Sequence, residues 1–136
     1  MYDLQRFKTA QERDHLKALV EIQEGRKQSH WIWYVFPQLK DLGHSHNAKY
    51  YGIADINEAV AYFSDPLLRS RLIEISTTLL QHKGKSAREI MGKPDDTKLR
   101  SCMTLFGALP DAHPVFDKVI DDFFHGEKDQ RTLSLL

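Results

Sequence analysis

A chain of 136 residues with 41% hydrophobic content is the length of one ordinary domain and can bury a single core without covalent staples. Nineteen Lys plus Arg offset nineteen Asp plus Glu, so no global field draws the chain to nucleic acid or an anionic membrane. The single Cys102 excludes an internal disulfide. WIWYVF, the longest apolar run, is far short of the roughly 20 residues that span a bilayer. Charges crowd MYDLQRFKTAQERD where a signal peptide needs an apolar stretch, so a cytoplasmic monomer outside the membrane is expected.

Helix signals then recur in chain order. Asp3 is placed to cap a first helix that ends near Gly25. Projected at 100° per residue, this helix puts Leu4, Phe7, Ala18 and Ile22 on one side, with Gln11 and His15 in the middle of the stripe. A buried Gln or His needs a hydrogen-bond partner, so these two meet either internal partners or a polar cavity.

The stretch GRKQSHWIWYVFPQ follows, with Arg26, Lys27, Ser29 and His30 before four aromatic rings and Gln38 after them. Only WIWYVF has strand composition, and a lone strand has no partner. A short helix or extended core segment ending at Pro37 is therefore expected. Large aromatics most often build the core, but two indole N–H groups both want partners, which favours one tryptophan on a cleft. An aromatic face beside Lys and His suits a planar anion such as a nucleotide. Arg26 and Lys27 also sit where a helix C-terminus favours positive charge without any ligand.

In the loop LGHSHN, His44 and His46 form the only metal-like spacing, and no CxxC, HExxH or third ligand completes it, so no metal is expected. Asp55 with Glu58 predicts a capped helix whose stripe is Ile56, Ala59, Val60 and Phe63. Asp65 followed by Pro66 predicts a long core helix through Leu68, Leu72, Ile75 and Leu79, stopping near Gly84. Ser86 and Glu89 repeat the capping spacing before Gly92. Asp95 or Asp96 opens the next helix. In KLRSCMTLF, Leu99, Cys102, Met103 and Phe106 form its core face, with Thr97, Arg100 and Thr104 opposite and Lys98 and Ser101 on the flanks. Lys98 and Arg100 are candidate anion contacts; a solvated face making ion pairs is the plain alternative. Pro114 begins a helix with the stripe Phe116, Val119, Ile120 and Phe123, ended by Gly126, and Asp129 caps a last turn. The fold class expected is all-α: residues 1–136 as a compact single-domain multihelical bundle of about seven or eight short helices.

No GxSxG, Walker or dinucleotide glycine pattern is present, so no cofactor is expected. Adjacent acids at Asp95–Asp96 and Asp121–Asp122 read as a helix start and a solvent face.

Several of these words resemble one family of small bacterial and fungal proteins, the domain-of-unknown-function family eighteen-ten, sometimes labelled calpastatin-like. They are LQRF with Ala10 and Gln11, GRKQSHWIWYVFPQL, LGHS, Tyr51, Glu58 with Ala59, KLRSCMTLF, and Gly126, Asp129, Thr132 and Leu133. The resemblance covers essentially the whole chain and implies an all-helical single domain without an established activity. The family pattern commonly has serine where this chain has Cys102, which weakens any thiol mechanism. The calpastatin label fits poorly, since such inhibitors resemble long polar disordered segments and this chain has regular apolar stripes.

Together these readings give a candidate cleft for a small anionic or nucleotide-like ligand. Lys27, His30, Trp33 and Gln38 form one wall, and Gln11, Lys98, Arg100 and Ser101 the other. One alternative is a hydrolase acting on a nucleotide or glycosidic bond with His30 as acid or base. Another is a protein-interaction module exposing residues 31–36 as an apolar patch.

Overall fold

The helix ends follow from local chemistry. In the computed structural model, which describes residues 2–136, Asp65 accepts hydrogen bonds from the N–H groups of Leu67 and Leu68 with Pro66 at the first helical position. Ser86 and Glu89 form a reciprocal capping box. Asp129 accepts from the Thr132 N–H, and His125 and Gly126 take left-handed backbone to stop the helix before it. Nine α-helices result among the described residues: α1 (Gln5–Gln23), α2 (Ile32–Val35), α3 (His46–Tyr50), α4 (Ile56–Ser64), α5 (Pro66–Leu79), α6 (Ala87–Met91), α7 (Asp95–Gly107), α8 (Pro114–Phe124) and α9 (Gln130–Ser134). Single 3₁₀ turns follow at Lys40–Leu42 and Leu80–His82. The described residues contain no strand, only isolated bridges such as Leu39 with Ile53.

Helix α7 is the hub, packing against α2, α4, α6, α8 and α9, while α5 joins α1, α4 and α8. An aromatic chain ties the layers together. Phe7 meets Tyr62 edge-on at 5.0 Å, Tyr62 lies 5.3 Å from Phe106, and Phe116 lies 5.5 Å from Phe63. Each such ring, fully removed from water, contributes on the order of 1.5–3 kcal/mol.

The structure departs from the sequence expectations in three places. Leu4 occupies the first cap position, and no side chain caps α1; Asp3 lies one residue outside, and its carbonyl accepts from Arg6. On α4, Glu58 and Tyr62 are buried beside Ala59 and Phe63, whereas Val60 is exposed. The reason is tertiary: Arg6 reaches Glu58 at 3.0 Å and also donates to the carbonyls of Tyr50 and Gly52, so a paired carboxylate turns inward. On α7, Ser101 and Thr104 are buried, because the chain leading into α9 folds over them and the Asp129 N–H donates to Thr104 Oγ1 at 2.9 Å.

Candidate functional site

The aromatic segment is shaped by a carboxylate. Glu21, in the last turns of α1, accepts from the Gln28 N–H at 2.7 Å, the Ser29 N–H at 2.9 Å, the Ser29 hydroxyl at 2.6 Å and the Trp31 indole at 3.0 Å. Burial alone would raise its pKa, but these donors together hold it down at about 2. The loop after Gly25, whose φ of +79° suits glycine, is thereby folded back onto α1. Trp31 is consequently core, at 0% exposure, and Phe36 and Tyr34 are buried with it. Trp33, two residues on and therefore on the opposite side of α2, is only partly buried.

Lys27 is drawn inward by the same loop. Its ammonium pairs with Asp95 at 2.8 Å, donates to the Ser29 carbonyl and lies 4.8 Å from the Trp31 ring. Asp95 opens α7 and also faces Lys98 at 3.7 Å, so two cations share one carboxylate. Lys98 in turn lies 5.5 Å over the Trp33 ring. After Pro37, Gln38 and Lys40 exchange backbone hydrogen bonds with Ile53 at 2.9 and 2.8 Å, which closes residues 38–53 into a wall. Ser45 caps α3 through the Ala48 N–H. Gly43 must be small, because a Cβ there would sit 2.4 Å from the Ala48 Cβ.

Between these pieces runs a groove. One depression of about 360 Å³ holds Lys27, His30, Trp33, Lys93, Asp95 and Lys98. A second of about 360 Å³ holds Gln38, His44, Lys98, Ser101, Asp129 and Arg131. A small recess lined by Trp33, Phe36, Gln38, Tyr51 and Lys98 lies beside both. Lys98 lines all three, and Pro94 lines both larger ones. Lys27, Lys93, Lys98 and Arg131 outnumber Asp95 and Asp129, so the groove is net positive within a neutral protein. No ion pair involves Lys93 or Arg131 among the described residues.

Of the residues singled out in the sequence, Lys27, His30, Trp33, Gln38, Lys98 and Ser101 all line these depressions. Gln11 and Arg100 do not. Gln11 is 2% exposed, and its amide donates to the Tyr34 carbonyl at 2.8 Å and the Tyr62 hydroxyl at 3.0 Å, so it is a satisfied core group. Arg100 points to the far side of α7, donating to the carbonyls of Glu127 and Lys128 at 2.7 and 3.2 Å. His30 is exposed, and its ring has no hydrogen-bond partner among the described residues. His44 and His46 part company: His44 lines the groove, and His46 stacks on Tyr50 at 6.2 Å. The described residues hold no group of three metal-ligating side chains. Cys102 is buried, and burial pushes its thiol pKa up, as a core position requires. The interaction-module alternative loses its surface, since Trp31, Ile32, Tyr34, Val35 and Phe36 are all buried.

The sequence reading missed Lys93, Asp95, Thr97, Asp129 and Arg131 as groove residues. In the sequence Asp95 reads as a helix start and Asp129 as a helix cap, and Arg131 carries no local signal.

The profile of the family described as protein of unknown function (DUF1810) matches residues 1–136. The chain belongs to this family. It is similar to the conserved hypothetical protein Rv1873 from Mycobacterium tuberculosis, whose crystal structure superposes with a TM-score of 0.97 at 44% identity over 99% of this chain and 96% of that one. A comparison with curated proteins finds no match. This DUF1810 member therefore has the family's helical fold, and no helix among its described residues is long and apolar enough to cross a membrane.

Proposed function

We propose that the groove across α2 and α7 binds a small anionic, nucleotide-like molecule. One observation carries this reading: Lys27, His30, Trp33, Gln38, Lys98 and Ser101, drawn from two distant stretches of sequence, line adjoining net-positive depressions that share Lys98, with a partly exposed indole among them. Such a groove offers the parts a nucleotide needs. The Trp33 ring supplies a face for a planar group, Lys98 and its neighbours supply charge, and the Gln38 amide supplies a donor and an acceptor. No carboxylate among the described residues bonds the His30 ring, which leaves the hydrolase alternative without a positioned base.

The test uses the two tryptophans as internal controls. Trp31 is sealed in the core and Trp33 is not, so iodide should quench one emission component, and Trp33→Phe should abolish it. Titration with a panel of nucleotides and phosphorylated metabolites should then shift the Trp33 component and raise Tm. If no member of the panel changes either, the groove is not a nucleotide site.

A further inference from the structure

Resting on the reading of the groove as a nucleotide-like cleft, the geometry points to a division of labour within it. We propose that the depression lined by Ser101, Lys98 and Arg131 takes the phosphate ester of a sugar, leaving Trp33 for the planar end of the same ligand.

Charge comes first. Lys98 stands on α7 and Arg131 on α9, both lining this depression, and Arg131 is exposed with no partner among the described residues. A guanidinium and an ammonium lining one depression suit phosphate, since the guanidinium offers a planar fork and the ammonium a point charge. Lys98 is only loosely held, 3.7 Å from Asp95, which is itself committed to Lys27 at 2.8 Å.

A bare phosphate would leave the rest of the depression unused. Asp129 Oδ2 accepts from the Thr132 N–H, the Thr132 hydroxyl and the Ser101 hydroxyl, while Asp129 Oδ1 has no donor among the described residues. A carboxylate oxygen with free lone pairs repels phosphate but accepts a hydroxyl. Gln38 and Thr97 also line the depression, and neither the Gln38 side-chain amide nor the Thr97 hydroxyl has a hydrogen-bond partner among the described residues. Cations for an ester oxygen, together with an acceptor and an amide for vicinal hydroxyls, describe a sugar phosphate rather than a dicarboxylate or an inorganic anion. The depression of about 360 Å³ is within the range of small-molecule pockets. Lys98, shared with the Trp33 side, joins the two ends of the ligand.

The experiment is a calorimetric titration of wild type, Arg131→Ala and Lys98→Met with adenosine 5′-monophosphate, ribose 5-phosphate, adenosine and inorganic phosphate. Trp33 emission is followed in parallel. The Arg131 side chain has no hydrogen bond or ion pair among the described residues, and its backbone bonds do not need the guanidinium, so its variant should keep the wild-type circular dichroism spectrum and Tm. The expected result is that the monophosphate binds at least tenfold more tightly than adenosine. Arg131→Ala should remove most of that advantage and leave adenosine unchanged, and ribose 5-phosphate should exceed inorganic phosphate. Equal affinity of adenosine and its monophosphate, or an advantage indifferent to Arg131→Ala and Lys98→Met, overturns the sugar-phosphate assignment while leaving a cleft at Trp33. Parity of ribose 5-phosphate with inorganic phosphate overturns the sugar half of it. Silence of Trp33 and of the calorimeter toward every probe overturns the parent reading as well.

Discussion

The Glu21 carboxylate accepts the Trp31 indole N–H at 3.0 Å, and through that bond the end of α1 fixes which tryptophan is core and which faces the groove. No ion pair involves this carboxylate among the described residues; its partners are the N–H and hydroxyl donors of the following loop. Backbone and hydroxyl donors replace water, and they carry a clear dependence on pH.

In the folded chain Glu21 has a pKa of about 2 against an ordinary value of 4.5. A depressed carboxylate pKa gives stability that is full above about pH 4.5 and lost as pH falls toward 2. The shift corresponds to about 3 kcal/mol across that window. Asp14 and Asp65 are also held low, so the readout is a difference. Urea midpoints followed from pH 6 to 2.5 should fall more steeply for wild type than for Glu21→Gln. An identical acid slope in the two proteins would remove Glu21 from this role.

Much of the fold was legible because helix ends are local chemistry: Asp65 with Pro66, Ser86 with Glu89 and Asp129 need only their own neighbours. What failed needed distant partners. Glu58 faces inward only because Arg6 arrives from α1, and Ser101 and Thr104 are buried only because the chain before α9 returns over α7. The groove was half legible for the same reason. Trp33 and Lys98 stood out as aromatic and basic residues in mixed stretches, whereas Asp95 acquires meaning only when α7 meets Lys27, and Asp129 and Arg131 only when α7 and α9 are placed together. Gln11 was misassigned because a polar residue on an apolar stripe looks the same in sequence whether it meets a ligand or Tyr62.

Gln11 separates those two possibilities by mutation. Gln11→Ala removes the donor to the buried Tyr34 carbonyl and the Tyr62 hydroxyl and opens a cavity. A loss of about 2–4 kcal/mol is expected in chemical denaturation. Ligand-induced change at Trp33 should survive under conditions where the variant remains folded. A groove residue would give the reverse pattern, lost binding at unchanged stability.

His125 ends α8 in left-handed backbone, at φ 54° and ψ 33°, a region where a side chain crowds the following carbonyl. Gly126 beside it is also at positive φ, 75°, and there glycine already removes the strain. His125→Gly should therefore stabilise the chain by about 1 kcal/mol, or about 3–5 °C in Tm by calorimetry. A fall in Tm would mean that the imidazole makes a stabilising contact that outweighs its backbone cost.

Gly52 tests whether the wall at residues 38–53 is rigid. Its φ is ordinary, so glycine is needed for space alone: an added Cβ would meet the Lys40 Cα at 2.4 Å and the Ala48 carbonyl oxygen at 2.7 Å. Both are backbone atoms and do not swing aside as a side-chain tip would. Gly52→Ala must push the Lys40–Leu42 turn away from α3, at an expected cost of about 1–3 kcal/mol in urea unfolding. The turn leads directly into Gly43 and His44 on the groove, so the same displacement should weaken any ligand seated against Gln38. Trp31 emission, reporting on the core beneath, should not change. A variant as stable as wild type would show that this wall yields, and that the groove does not depend on its close packing for shape.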